Sequence, residues 1–418
     1  MADVTIDSAV ISSLTLRGSH RSLKWTTTLI GYLFFVDGDS DFKYYSTTDG
    51  GATWSGPTTI FAGVVGAYDA WYDRDTPGDT GTKIHTVYVN AGTPDIKYRA
   101  LDTNGDSLGT EVAVAAPAGA AGYDNFNWVT ITKALSGHLF VGYVVEDSTD
   151  GINGGLERST DGGATFDART ALNELAIDYF HLLPANTGDN DDICAIYVDV
   201  SADAISLKMH NDTLNTWTET AIDAMIDIAL STTRDQFAAA VRHSDNHVIL
   251  AFWNDRDTAT ADLKCYDLTV DSIALPTVTA LTNVATDKDD MQSVVVSIDQ
   301  NTDDIYVGYI GKNDGSETLG TSVGIYSQVS GDGGSTWDAA VARNETVTNN
   351  NATALYGSLG GTSFRVGYAW FENTDDDLMF NTAVSLAIAP SAIPPGMGTV
   401  VGMSELLQTY NAGASLRY

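Results

Sequence analysis

Seven short apolar runs rich in aromatic and branched residues recur along the chain, each followed by an acidic turn. They occupy residues 32–36, 84–89, 139–145, 193–198, 248–253, 305–310 and 364–370. Their central residues are Leu33, Val87, Phe140, Ala195, Leu250, Val307 and Val366, spaced by 54, 53, 55, 55, 57 and 59 residues. A continuous apolar run of five to seven residues reads as a strand buried on both faces. Even spacing over seven such strands is the mark of a repeat architecture in which each unit buries its faces against the next. Helical periodicity is scarce, and the clearest helical start is Ser404-Glu405-Leu406-Leu407-Gln408.

Weaker strands flank each run. One precedes it, as at 237–241 or 292–298, and one follows, as at 42–45 or 323–327. The pattern predicts an all-β fold, a single β-propeller of seven four-stranded blades. Six blades would require one run to be an insertion. With strands lettered A (innermost) to D, the apolar run is strand B. The last unit has an A strand near 354–358 and a C strand near 378–383 but no further outer strand. Residues 4–11 are therefore expected to close the ring as the missing strand of blade seven. The propeller is assigned to residues 1–384 and a C-terminal tether and docking tail to 385–418, which begins with the Pro-rich stretch 389–396.

A second repeat is local: Ser/Thr-x-Asp-x-Gly-x-Thr followed by Trp or Phe. It occurs as Thr47, Asp49, Gly51, Thr53, Trp54; as Ser159, Asp161, Gly163, Thr165, Phe166; and as Ser330, Asp332, Gly334, Thr336, Trp337. A worn copy keeps Asp212, Thr216 and Trp217. The Gly supplies a positive φ without steric cost, and the Asp and Ser/Thr side chains bond turn amides that have no strand partner. The aromatic is expected to close the turn against its own blade. These segments resemble the Asp box (BNR repeat) of sialidase-like propellers, which places them at C–D turns and gives them a structural role.

Composition narrows the partners. The net charge of −34, from 55 acids against 21 bases, argues against nucleic acid and anionic membrane surfaces, both of which need a positive footprint. No segment reads as a membrane span and no secretory signal is seen at the N-terminus. Cys194 and Cys265, on strands of adjacent blades, read as two buried thiols, with a disulfide between them as the alternative.

Candidate chemistry lies on two sets of residues. The B–C loops carry an acidic ring that includes Asp37, Asp39 and Asp41, whose alternation resembles the start of a calcium loop, although Phe42 stands where a Gly would be needed. The face bearing the B–C and D–A loops is the one expected to hold a ligand. The sialidase resemblance implies an arginine triad, a Tyr–Glu nucleophile pair and an acidic residue. Its candidates are Arg21, Arg234 and Arg343, then Tyr356 with Glu174 or Glu345, then Asp39. The pattern around Arg21 departs from the family's. Trp71, Trp253 and Trp370 could stack on sugars if exposed at the mouth, although aromatics packed between blades are the commoner case. The preferred reading is a non-catalytic recognition or assembly module: a bacteriophage virion structural or adhesion component that binds glycans or neighbouring subunits, with an extracellular protein as the other location. An exo-sialidase-like hydrolase and a purely structural, calcium-stabilised propeller are the alternatives.

Overall fold

The protein was analysed as a computed structural model, which describes residues 3–8, 21–93, 95–115, 123–147, 151–172, 180–199, 202, 204–224, 237–254, 261–274, 276–288, 293–311, 324–344, 352–356, 366–372 and 377–382. The chain divides into two compact units, Met1–Ala383 and Val384–Tyr418. The tether and the helical start at Ser404 fall in the second unit, outside the described residues.

The first unit is a seven-bladed β-propeller in which each blade is an antiparallel sheet with a main path of four strands. Among the described residues the only helical element is the 3-10 turn Asp73–Asp75. The second strands are Gly31–Val36, Lys83–Asn90, Leu139–Asp147, Ile193–Asp199, His247–Asn254, Ile305–Gly311 and Gly367–Glu372, so every apolar run falls where the spacing puts it. Every residue of Ile193–Asp199 is buried, as a strand covered on both faces requires. In blade seven the strand starts at Gly367, and Phe364 lies outside the described residues. The inner strands are Leu23–Trp25, Val65–Tyr72, Tyr123–Lys133, Phe180–Pro184, Phe237–Arg242, Val294–Ile298 and Ala352–Tyr356.

The outermost strand of blade seven is Val4–Asp7, paired antiparallel to Asp377–Thr382 with Val4 opposite Phe380. Beside this junction, Phe380, Trp25 and Trp54 form one aromatic cluster that joins blade seven to blade one.

The three repeated turns lie between strands C and D, and their hydrogen bonds are near-copies of one another. In the first, Asp49 Oδ1 accepts from Thr47 Oγ1 and from the Thr53 amide, both at 2.9 Å, and Asp49 Oδ2 accepts from Thr53 Oγ1 at 2.6 Å. The Gly51 amide donates to Thr47 Oγ1. Asp161 and Asp332 are held in the same way by Ser159 and Thr165 and by Ser330 and Thr336. These bonds, that of the Thr hydroxyl foremost, lower the carboxyl pKa of Asp49 and Asp161 to about 2 and lower that of Asp332. Such carboxylates are turn locks.

The aromatic that ends each motif does not simply close its own blade. Trp54 meets Phe380 of blade seven edge-on, and Phe166 packs on Tyr98 of blade two at 5.4 Å. Trp337 donates its indole N–H to the Thr282 carbonyl, which follows the outer strand of blade five, and Trp217 donates to the Thr170 carbonyl at the end of blade three. The motif glycines Gly51, Gly163 and Gly334, all at positive φ, press against Phe380, Tyr98 and Leu281 of the preceding blade. Each turn is therefore a clasp between neighbouring blades. An aromatic at the tip of a C–D hairpin overhangs the blade before it, which a reading confined to one repeat cannot see.

Candidate functional site

The inner strands bring charged side chains to the ring centre, where most are neutralised. Arg21 lies just before the inner strand of blade one. Its guanidinium pairs with Asp69 of blade two, donates to Thr130 Oγ1 of blade three at 2.5 Å and to the Leu182 carbonyl of blade four at 3.0 Å, and lies 5.0 Å from the Trp71 ring. Asp69 also accepts from Thr130 Oγ1 and the Ile131 amide. Lys24 pairs with Asp75 at 2.5 Å. The space left beside Arg21, Lys24 and Trp71 is about 40 Å³, enough for a few waters and too small for a sugar ring.

A polar chain leads from this centre to the face that carries the repeated turns. Lys133 bridges Asp73 at 2.5 Å and Asp79 at 2.7 Å. Asp73 Oδ1 accepts from His85 Nε2 at 2.9 Å, and His85 Nδ1 contacts Tyr98 Oη at 2.7 Å. Burial pushes the His85 pKa down against the pull of Asp73, which keeps the imidazole neutral; it then donates through Nε2 and accepts from Tyr98. Burial opposes ionisation of Asp73, but hydrogen bonds and charge from His85 and Lys133 outweigh it and hold its carboxyl far below the usual range.

The chain ends at an open cleft of about 590 Å³ formed by the A–B turns of blades two to five. Asp79 and Thr80 come from the long turn of blade two, Ser136 from blade three, Asn190 from blade four, and His243 and Asn246 from blade five. Among the described residues no Arg or Lys lines it. The walls are braced: the Ser136 amide donates to the Asn190 carbonyl, the His243 amide to Gln300 Oε1, and His243 Nε2 contacts the Asp75 carbonyl. Burial lowers the His243 pKa, which leaves a neutral imidazole. The lining of amides, hydroxyls, one carboxylate and one neutral imidazole suits hydrogen bonding to a polyhydroxylated ligand.

No protein-family model matches the sequence, and no curated protein is similar to it. Solved structures share its fold. An ulvan lyase, a polysaccharide lyase solved with a saccharide bound, superposes with a TM-score of 0.53 at 12% identity, covering 91% of this chain and 96% of that one. A protein of unknown function from Dyadobacter fermentans has a TM-score of 0.49 at 13% identity over 78% of this chain and 98% of that one. An alpha-L-arabinanase of Penicillium chrysogenum has 0.43 at 15% identity over 62% and 78%. At these identities the likeness is one of fold.

Of the sequence-derived catalytic candidates, the described side chains of Arg21, Arg343 and Asp39 stand in different parts of the ring. Arg21 is buried and its charge is met by Asp69, so it is not poised for a substrate carboxylate. Arg343 is on the outer strand Val341–Asn344 of blade six. There its Nε donates to Ser327 Oγ at 2.7 Å beside Tyr368, away from the central mouth it was expected to face. Tyr356 ends the inner strand of blade seven, opposite Ala369. Its side chain, and Arg234, Glu174 and Glu345, lie outside the described residues. Asp39 is exposed on the blade-one B–C loop. Trp71, Trp253 and Trp370 take the blade-packing alternative: each is at most 2% exposed, because B-strand and inner-strand rings fill the space between blades.

At the predicted calcium loop, Asp37 pairs with Lys43 and accepts the amides of Asp39 and Asp41, while Asp41 accepts the Gly63 amide and lies 3.5 Å from Lys43. The loop is a lysine-braced turn in which the carboxylates of Asp37 and Asp41 are already engaged. Much of the acidic ring turns out to be strand: Glu146, Asp147, Asp199, Asn254 and Glu372 lie within B strands and Asp377 within a C strand. Its remaining members in blades three to seven lie outside the described residues. Cys194 and Cys265 are free and buried, and burial pushes each thiol up to about 12.

The cleft was missed in the sequence because its residues come from four different turns and none is part of a motif. The weak cue was the length of the blade-two A–B turn, which runs from Asp73 to Thr82.

Proposed function

We propose that this chain is a carbohydrate-recognition propeller that binds a neutral, hydroxyl-rich glycan in the cleft between the A–B turns without cleaving it. The observation that carries the proposal is the cleft itself: about 590 Å³, walled by Asp79, Thr80, Ser136, Asn190, His243 and Asn246 on braced turns, with the nearby Lys133 charge met by Asp73 and Asp79. Its size is within the range of small-ligand sites. The net charge of −34 disfavours anionic glycans. The ulvan lyase of similar fold supports polysaccharide as a ligand class only as an analogy. The Asp-box resemblance fits a scaffold role for the repeated turns. The wider setting we propose is adhesion, with the propeller as a recognition component of a surface or virion assembly.

The test is a glycan array probed with the purified chain, followed by calorimetry on the best neutral ligand with Asn190→Ala and Asn246→Ala variants. Binding that weakens about tenfold in either variant is the expected result. An array with no neutral-glycan signal, or binding indifferent to both variants, would overturn the reading. Release of shorter sugars from the bound glycan would replace recognition by catalysis.

A further inference from the structure

Behind the cleft wall, three side chains from two adjacent blades converge. His138 ends the A–B turn of blade three, Asp191 belongs to the A–B turn of blade four, and Asp212 to the worn C–D turn of blade four. Their ligand atoms all lie within 4.8 Å of one another. His138 Nδ1 and Asp191 Oδ1 are 2.9 Å apart, yet both atoms are buried and neither has a hydrogen-bond partner. With the imidazole neutral and Nδ1 unprotonated, two lone pairs face each other, which is costly unless a third party takes both.

The spacing suits a metal ion. Donors set tetrahedrally about 2.1 Å from one ion are about 3.4 Å apart, within the limit these three atoms keep. Asp212 is held in place by Arg158 at 2.6 Å and Arg169 at 2.8 Å, one on each carboxylate oxygen. Each oxygen keeps a further lone pair, and the two arginines fix the carboxylate as an outer shell does for a ligand, while reducing its charge. The donor set of one imidazole and two carboxylates favours a borderline transition ion over calcium, which takes oxygen ligands. The imidazole and the Asp191 carboxylate are partly exposed, which leaves an entry path.

We propose that His138, Asp191 and Asp212 form a binding site for one divalent transition ion of the zinc class. The ion ties the blade-three turn to the blade-four turn. These turns already share the hydrogen bond from the Ser136 amide to the Asn190 carbonyl, and they present Ser136 and Asn190 to the cleft. The site's role is to pin that wall, and its existence does not depend on what the cleft binds.

The test uses the full, untagged chain stripped with a chelator and titrated with Zn²⁺ by calorimetry, with melting followed in parallel. One saturable site is expected, together with a rise in Tm on adding Zn²⁺. His138→Ala and Asp191→Asn should each weaken binding about tenfold or more and remove the Tm rise, while the metal-free Tm stays near that of the parent chain. Excess Ca²⁺ should not displace the bound Zn²⁺. Absence of a saturable site, binding untouched by both variants, or displacement by Ca²⁺ would overturn the assignment. If His138→Ala does not fold, Asp191→Asn, which keeps the side-chain shape, carries the same comparison.

Discussion

Replacing Asp69 by alanine should destabilise the propeller more than removal of any exposed ion pair. Asp69 is fully buried at the meeting of blades one, two and three. It accepts from Arg21, from Thr130 Oγ1 at 3.0 Å, from the Ile131 amide at 2.9 Å and from the Ala70 amide at 2.7 Å. Truncation removes the carboxylate that Arg21 pairs with, and breaking a buried pair costs about 3–5 kcal/mol. Each stranded neutral donor adds about 1–3 kcal/mol. Water entering the adjacent space of about 40 Å³ offsets part of this. The net expectation is a loss of at least about 4 kcal/mol. Removing the charge as well, in Arg21→Met with Asp69→Ala, should recover about half of it, because the positive charge that Asp69 balanced is then gone too. Guanidinium denaturation followed by tryptophan fluorescence measures both variants and their coupling. A single-variant loss below about 1 kcal/mol, or a coupling energy near zero, would refute the view that this pair organises the ring centre.

Three further outcomes follow from the same structure. Glu157, buried on the third strand of blade three, has its pKa raised to about 7, chiefly by burial. Its unfolded carboxyl ionises near 4.5, so the unfolded state releases the proton first and stability falls as pH rises between 4.5 and about 7. Glu157→Gln should therefore raise stability by about 1–2 kcal/mol at pH 8, with solvent screening allowed for, and the gain should shrink towards pH 5; melting curves at the two pH values decide it. Gly163→Ala should cost about 2–4 kcal/mol, because its φ is positive and the new Cβ meets the Tyr98 ring, whereas Gly162→Ala in the same turn meets nothing and should cost about 1 kcal/mol. Equal losses in denaturation would contradict the clasp between blades. Deleting residues 1–8 removes the strand paired to Asp377–Thr382 and should lower Tm sharply in calorimetry; an unchanged melt would mean that the ring does not depend on that strand.

How much of this was legible in the sequence depends on the range of the interaction. The seven B strands could be read from apolar runs such as 193–198, since a segment buried on both faces has little choice of residues. The repeated turns could be read because their bonds reach only two to four positions along the chain, as from Asp49 to Thr47 and Thr53. Where those turns press was not legible: Trp54 finds Phe380, and Gly163 finds Tyr98, only once the blades stand side by side.

The site follows the same division. Arg21 was a candidate for the arginine triad, but its partner Asp69 is 48 positions away and Thr130 is 109 away, and only the packing of inner strands about the ring centre makes them neighbours. Arg343 looked equivalent to Arg21 in sequence, yet strand order put it on the outer edge of blade six. The cleft and the trio of His138, Asp191 and Asp212 are likewise assembled from turns of different blades. The sequence by itself determined the strands, their number and the local chemistry of the turns, because these depend on burial and on bonds between near neighbours. Tertiary structure alone decided which turns share a face and which charges meet, because packing seven similar units in a ring juxtaposes residues that no local pattern connects.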